Sequence, residues 1–307
     1  GACAAARTPL AFCGASSQAG RLPVLHSAGL NSPRRGSSAR GIVLTLALAG
    51  WSAAGGAAAY AQTSGGPRPE GLVPRSVGFL SAYRLHLNAI RTLGDGDRSF
   101  AWDSDIGADL DLFDLGFVRG NLFVNIESIL GDERRAIDPN QNNYTIDTTI
   151  FVRLPRGTLG VTFHHISRHL ADRENKGAVA WNMAGLNYAD RFRLGPVDLY
   201  YSGAAYARVL RAGVDYESEF NARVRLAYPA ESRVALILDL DGTAVGVTQR
   251  IYNRPLQHGH RFESGLRIRG RAGTAELVFG RERRIDADPF ERRPVEWSRF
   301  GFRFVVG

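Results

Sequence analysis

Trp102-Asp103-Ser104-Asp105-Ile106-Gly107-Ala108-Asp109-Leu110-Asp111-Leu112 decides the fold. Trp102, Ser104, Ile106, Ala108, Leu110 and Leu112 fall on one phase of a two-residue period, and Asp103, Asp105, Asp109 and Asp111 fall on the other. Successive strand side chains point to opposite faces, so a strand here has one face suited to hydrocarbon and one that needs water or counter-charge. The pattern returns where Val118, Leu122, Val124 and Ile126 alternate with Arg119, Asn121, Asn125 and Glu127. It returns again where Phe220, Ala222, Val224, Leu226 and Tyr228 oppose Glu219, Asn221, Arg223 and Arg225, and where Phe262, Leu266 and Ile268 oppose Arg261, Glu263, Arg267, Arg269 and Arg271.

Strands of soluble sandwiches run to about five or six residues, whereas crossing an outer membrane takes roughly nine to eleven. The alternating runs here are of the longer kind, and lipid cannot satisfy the open edge of a sheet, so the sheet must close. The expected fold class is all-β, a transmembrane antiparallel up-and-down β-barrel over residues 77–307. Tight turns are expected near Leu115, Pro155-Arg156-Gly157, Pro229-Ala230, Asp241-Gly242 and Ala272-Gly273, with longer loops at 129–144, 168–178 and 284–296. Counting between them gives about thirteen segments; because bacterial barrels have even counts, the expectation is about 12 strands, with 14 next. Trp102, Trp181 and Trp297 each follow a long loop, as an interfacial aromatic girdle would require.

Upstream of the barrel the grammar changes. Residues 1–61 carry Arg7, Arg21, Arg34, Arg35 and Arg40 and no acidic residue, and they end in an apolar run from Gly41 to Ala59 with Ala59-Tyr60-Ala61 as a small-x-small cleavage site. This reads as a signal peptide with an upstream extension, cleaved after Ala61, followed by a periplasmic linker over 62–76. Taking those five arginines from the formal charge of +8 leaves +3 downstream, which removes the main argument for nucleic acid as a partner. Cys3 and Cys13 both precede the expected cleavage point, so disulfide and thiol chemistry are not expected of the barrel. No glycine loop sits in a strand-to-helix context, and no cofactor is implied.

Candidate chemistry concentrates in Phe163-His164-His165-Ile166-Ser167-Arg168-His169-Leu170-Ala171-Asp172-Arg173-Glu174, which ends a strand beside a long loop. Leu159, Val161 and Phe163 set the apolar phase, and unbroken alternation puts His165, Ser167 and His169 on it, facing lipid or its headgroups. A serine needs a base to take its proton, and residues two apart on a strand are neighbours on one face. Ser167 as nucleophile with His165 as general base, and His169 beside them, is therefore the candidate catalytic set. An outward Glu or Asp within reach of His165 would favour hydrolysis; inward-facing His165 and Ser167 would exclude the lipid-facing form. His165 and His169 are four apart, a spacing that suits a helix, and His258-Gly259-His260 reads equally as a polar loop, so no metal site is assigned.

Two resemblances arise from these residues. His165-x-Ser167 resembles the histidine-x-serine pair of the outer-membrane lipid A 3-O-deacylases, whose catalytic groups face the membrane and include a glutamate; here Val179 stands at the matching downstream position, and Glu174 comes earlier. The longer string His165-Ile166-Ser167-Arg168-His169-Leu170-Ala171-Asp172 is similar to a His-x-Ser-x-His-Leu-x-Asp motif of an uncharacterised family of bacterial outer-membrane barrels, which implies the fold and no activity. Phe300-Gly301-Phe302-Arg303-Phe304-Val305-Val306-Gly307 resembles the C-terminal strand recognised by the barrel assembly machinery, ending on glycine where that pattern has an aromatic. The implied location is the outer membrane of a Gram-negative-type bacterium, with membrane lipid and lipopolysaccharide as partners.

A different class of function would use the lumen. Asp103, Asp105, Asp109, Asp111, Asp239 and Asp241 line acidic walls, and Arg223, Arg225, Arg267, Arg269, Arg271, Arg299 and Arg303 basic ones. These walls either pair across a filled interior or flank a pore. The readings carried forward are an outer-leaflet acyl-ester hydrolase acting on lipid A, a passive pore for small solutes, and a non-catalytic lipid-binding or structural barrel.

Overall fold

The computed structural model describes residues 77–307 apart from 95–97, 173, 175–176, 178 and 251. The expected signal peptide and linker lie outside the described residues. Within them the chain forms twelve strands: β1 (Gly78–Leu93), β2 (Trp102–Asp114), β3 (Val118–Gly131), β4 (Asp138–Arg153), β5 (Thr158–Leu170), β6 (Val179–Leu194), β7 (Val197–Ala212), β8 (Tyr216–Pro229), β9 (Val234–Val247), β10 (Gln257–Arg269), β11 (Gly273–Arg284) and β12 (Val295–Val306). Each pairs antiparallel with its neighbour in sequence, and β1 closes on β12 from Leu85 opposite Val306 to Leu93 opposite Ser298. The strands are 12 to 16 residues long, enough to cross a bilayer at a tilt.

The alternation that decided the fold is realised in three dimensions. Ile106, Ile126, Phe220, Phe262 and Leu266 are exposed on the outside, whereas Asp103, Asp105, Asp109, Asp111, Glu127, Glu219 and Glu263 are buried inside. A β-bulge near Asp111 and Phe113 then shifts the phase of β2, so that Asp114 also points inward and receives Arg153 at 2.6 Å.

The two ends of the barrel differ. At one end, with Gly78 and Val306, the connections are residues 115–117, 154–157, 195–196, 230–233 and 270–272; at the other they are 94–101, 132–137, 171–178, 213–215, 248–256 and 285–294, most of them longer. Short turns belong on the periplasmic side of an outer-membrane barrel and longer loops outside.

Two expectations need correction. Asp241-Gly242 is no turn: both lie inside β9, where Asp241 opposes Arg223 and Arg261 and Gly242 opposes Ala222 and His260, and this removes the thirteenth segment. The loop expected at 129–144 shrinks to 132–137, because β3 and β4 extend past the bilayer-length core of their pattern. The tryptophan girdle is also only partly present. Trp102 takes the outward phase with the Arg91 guanidinium 5.6 Å from its ring, but Trp181 and Trp297 are turned inward and buried. Trp181 packs with Ile166, Met183, Tyr216 and Ile285, and Trp297 with Phe100 and Ala287, in apolar clusters that close the barrel mouth beneath the long loops.

Candidate active site

His165, Ser167 and His169 lie on the outward phase of β5 with the exposed Val161 and Phe163, while His164, Ile166 and Arg168 are buried on the inner phase. The lipid-facing condition is therefore met. Among the described residues, no carboxylate is in contact with His165. Across the β5–β6 ladder the residue directly opposite His165 is Asn182, and His165 Nδ1 lies 2.5 Å from Asn182 Oδ1. An amide oxygen can only accept, so Nδ1 is the donor in this contact, and Nε2 is the ring nitrogen turned away from Asn182. Ser167 lies two residues further along the same face of β5. A hydroxyl, an imidazole and an amide thus share the outward wall, with Asn182 in contact with His165.

The sequence reasoning missed Asn182 because it sought an acid. The signal that would have found it is a polar side chain on the lipid-facing phase of β6, where its neighbours Ala180, Ala184 and Leu186 are apolar. A second bulge lies beside it: Asn182 opposes Leu210 and Met183 opposes Arg208, leaving Val209 as the extra residue of β7. Val209 and Leu210 are both exposed, so the surface next to Asn182 is apolar. His169 stands apart from the set, edge-on to Tyr144 with ring centroids 5.5 Å apart.

Inside the barrel, the same segment of β5 is tied down at both flanks. His164 Nδ1 lies 2.6 Å from Asp147 Oδ1, and its ring stacks on Tyr206 at 5.1 Å. Arg168 donates to the backbone carbonyls of Asp286 and Ala287, each at 2.6 Å, and to Asn143 Oδ1 at 3.3 Å. Asp286 in turn accepts from Tyr216 Oη at 2.8 Å and from Arg254, which also grips Asp215 at 2.6 Å. Burial lowers the affinity of Arg254 for its proton, but the hydrogen bonds and charges of Asp286 and Asp215 outweigh it and hold Arg254 above its ordinary value. The β11–β12 connection is thus folded into the mouth of the barrel and bolted to the strand that carries Ser167.

The lumen residues sort into pairs. Asp103 meets Arg284 at 2.7 Å and Arg299 at 3.4 Å, Asp109 meets Arg84 at 3.6 Å, and Asp111 meets Arg119 at 2.5 Å. Asp105 accepts from Asn125 at 2.7 Å. Arg223 and Arg225 share Asp239, Arg223 also reaches Asp241 at 3.2 Å, and Arg267 holds Glu276 at 2.8 Å. Arg299 and Arg303 converge on Glu263, and Arg299 also bonds Glu282. Arg269 and Arg271 lie exposed at the short-turn end and do not join this network. The walls therefore pair across an interior filled by their own side chains. Asp103, Asp105 and Glu127 come close enough to suggest a metal, but Arg284 and Arg299 supply the positive charge there, with Arg284 3.0 Å from Glu127.

Fold and site together define a closed transmembrane β-barrel with a serine, histidine and asparagine set on its lipid-facing wall. No known family profile matches the chain, and no curated protein does. Solved structures with a similar fold include the outer membrane phospholipase A from Escherichia coli (12% identity, TM-score 0.47, covering 73% of this chain and 92% of that one). Others are the calcium-bound dimer of the Salmonella typhi outer membrane phospholipase (11%, TM-score 0.46, 73% and 90%) and OmpT, an outer membrane protein of Vibrio cholerae (7%, TM-score 0.36, 73% and 96%).

Proposed function

We propose that this chain is an outer-membrane hydrolase that cleaves acyl esters of lipids in the outer leaflet, with Ser167 as nucleophile, His165 as general base and Asn182 as the group that orients it. The observation that carries the reading is the 2.5 Å contact of His165 Nδ1 with Asn182 Oδ1 on the outer wall, with Ser167 on the same face. The contact satisfies two polar groups on a lipid-facing wall, and it also holds the ring in the tautomer that a base requires. Ser167 Oγ attacks the ester carbonyl carbon as its proton passes to His165 Nε2; the leaving alcohol takes that proton, and water then releases the acyl group from Ser167 by the reverse transfer. Ser167 lies three residues and His165 five residues from Leu170, the loop end of β5, and interfacial placement of that end would bring them near lipid ester linkages. Lipid A is the narrower substrate. Export after cleavage at Ala61, and assembly through the phenylalanine-rich β12, belong to the same reading.

The filled, ion-paired lumen favours hydrolysis at the wall over passage through the middle. The test is release of fatty acid from lipid A and from phospholipid in mixed micelles by the purified barrel and its Ser167→Ala variant. Release by the wild type and its loss in the variant supports the hydrolase; no release from either lipid, or undiminished release by the variant, overturns it.

A further inference from the structure

His258-Gly259-His260 takes no part in the site on β5 and β6. It lies on β10, at the loop end, with His258 exposed and His260 half-buried on the outward phase. His260 opposes Arg283 across the ladder, and Arg281 follows on the same face of β11. On the far side, Glu296 of β12 receives Arg281 at 3.1 Å and Arg283 at 3.5 Å. Two guanidiniums thus share one carboxylate, and Arg283 Nη1 is shielded from solvent with no hydrogen-bond partner among the described residues. On the β9 side the histidines face only Ala244 and Gly242, which leaves space beside them.

Directly below this polar cluster the wall turns apolar. Phe262, Phe279 and Phe300 are all exposed on the outward phase, with Phe279 opposite Phe300. The boundary between charged and aromatic side chains sets the headgroup level of the leaflet. A group that satisfies Arg281, Arg283 and the two histidines at that level must be anionic and rich in acceptors, and its remainder must be content against phenylalanine. β11 and β5 lie on opposite sides of the ring of strands, so this surface is separate from the candidate catalytic set.

We propose that the outward face of β10 and β11 is a binding site for the phosphate of an anionic membrane lipid, held by Arg281, Arg283, His258 and His260 with its acyl chains on Phe279 and Phe300. Arginine presents the planar fork that phosphate oxygens accept, and each basic residue at such a surface strengthens attachment to an anionic lipid several-fold. Phosphate on the arginines is chemistry that a lipid headgroup and free phosphate share; the aromatic floor selects the lipid.

The test uses the full-length folded barrel in a neutral, phosphate-free detergent and counts retained lipid by native mass spectrometry. Phosphatidylglycerol, phosphatidylcholine and inorganic phosphate are titrated in separate arms against the wild type, the Arg281→Gln/Arg283→Gln double variant and Glu296→Gln. The wild type is expected to hold phosphatidylglycerol about 30-fold more tightly than the double variant, and Glu296→Gln, which releases both arginines from their carboxylate, is expected to hold it more tightly still. Equal retention by wild type and double variant overturns the site, as does weaker retention by Glu296→Gln. Inorganic phosphate that competes with phosphatidylglycerol at equal concentration, or phosphatidylcholine retained equally well, overturns the assignment to an anionic lipid. Should the double variant fail to fold, Glu296→Gln against the wild type decides: tighter retention of phosphatidylglycerol supports the site, and equal or weaker retention overturns it.

Discussion

Replacing Asn182 by alanine removes the acceptor 2.5 Å from His165 Nδ1 and leaves the rest of the outer wall of β6 in place. In the resting site the lost contact joins two neutral groups and is worth about 0.5–1.5 kcal/mol; in the transition state His165 has taken a proton, and a hydrogen bond from a charged group is worth about 1.5–3 kcal/mol. The part that appears only in the transition state is the difference, about 1–1.5 kcal/mol, and its loss lowers kcat about 5- to 13-fold. KM stays close to the wild-type value, because Asn182 holds the base and not the lipid. Asn182→Asp restores an acceptor and is expected to recover most of the rate; at this shallow depth an outward carboxylate costs about 0–1 kcal/mol of stability. The assay is fatty-acid release from mixed micelles under substrate saturation, with the compact gel migration of the unheated barrel as the check of folding. Full kcat in Asn182→Ala alongside an inactive Ser167→Ala variant would refute the orienting role while leaving the nucleophile in place; a rise in KM with unchanged kcat would make Asn182 a lipid contact instead.

Two further outcomes test the interior. Arg168→Met removes the donors to the carbonyls of Asp286 and Ala287, strands two buried acceptors, and is expected to lower the unfolding free energy in micelles by about 2–4 kcal/mol, read from urea titration; a loss under about 1 kcal/mol would mean that the loop is held by its other contacts. In planar bilayers the wild-type barrel is expected to give no stepwise conductance, because Asp103, Glu263 and Arg299 fill the middle of the lumen, and regular conductance steps would refute the filled interior.

Much of the barrel was legible because its strands are long and its two faces meet opposite solvents. Asp103 to Asp111 could be placed inside from the sequence alone, since charge on that phase has nowhere else to go. Errors arose where a local signal competed with a long-range one. Asp241-Gly242 has the composition of a tight turn, yet the Asp241 carboxylate is needed in mid-strand for Arg223 and Arg261, and that pairing depends on strands β8 and β10, which no local pattern exposes. Trp181 and Trp297 follow long loops as expected of a girdle, but a mouth closed by a folded-in loop offers buried apolar surface that outcompetes the interface. The outward placement of His165 and Ser167 was legible from two-residue spacing; the contact with Asn182 was not, because only the register of β5 against β6 brings residues 165 and 182 together.

The same strand carries a polar pair on its outer face and anchored side chains on its inner one. On β5 the parity of the chain separates the two tasks: 165 and 167 face lipid, while 164 and 168 face the lumen and are anchored to Asp147 and to the backbone at Asp286 and Ala287. A histidine and a serine at a membrane surface have no surrounding protein to hold them, and a base misplaced by about 1 Å loses on the order of a hundredfold in rate. Rigidity must therefore come from behind. The inner anchors supply it through the backbone, and Asn182 supplies it across the ladder. On the proposed hydrolase reading, the polar, ion-paired lumen would serve the outer wall without touching the substrate: a barrel with an open pore behind β5 would have to hold the same pair of side chains with only half of these restraints.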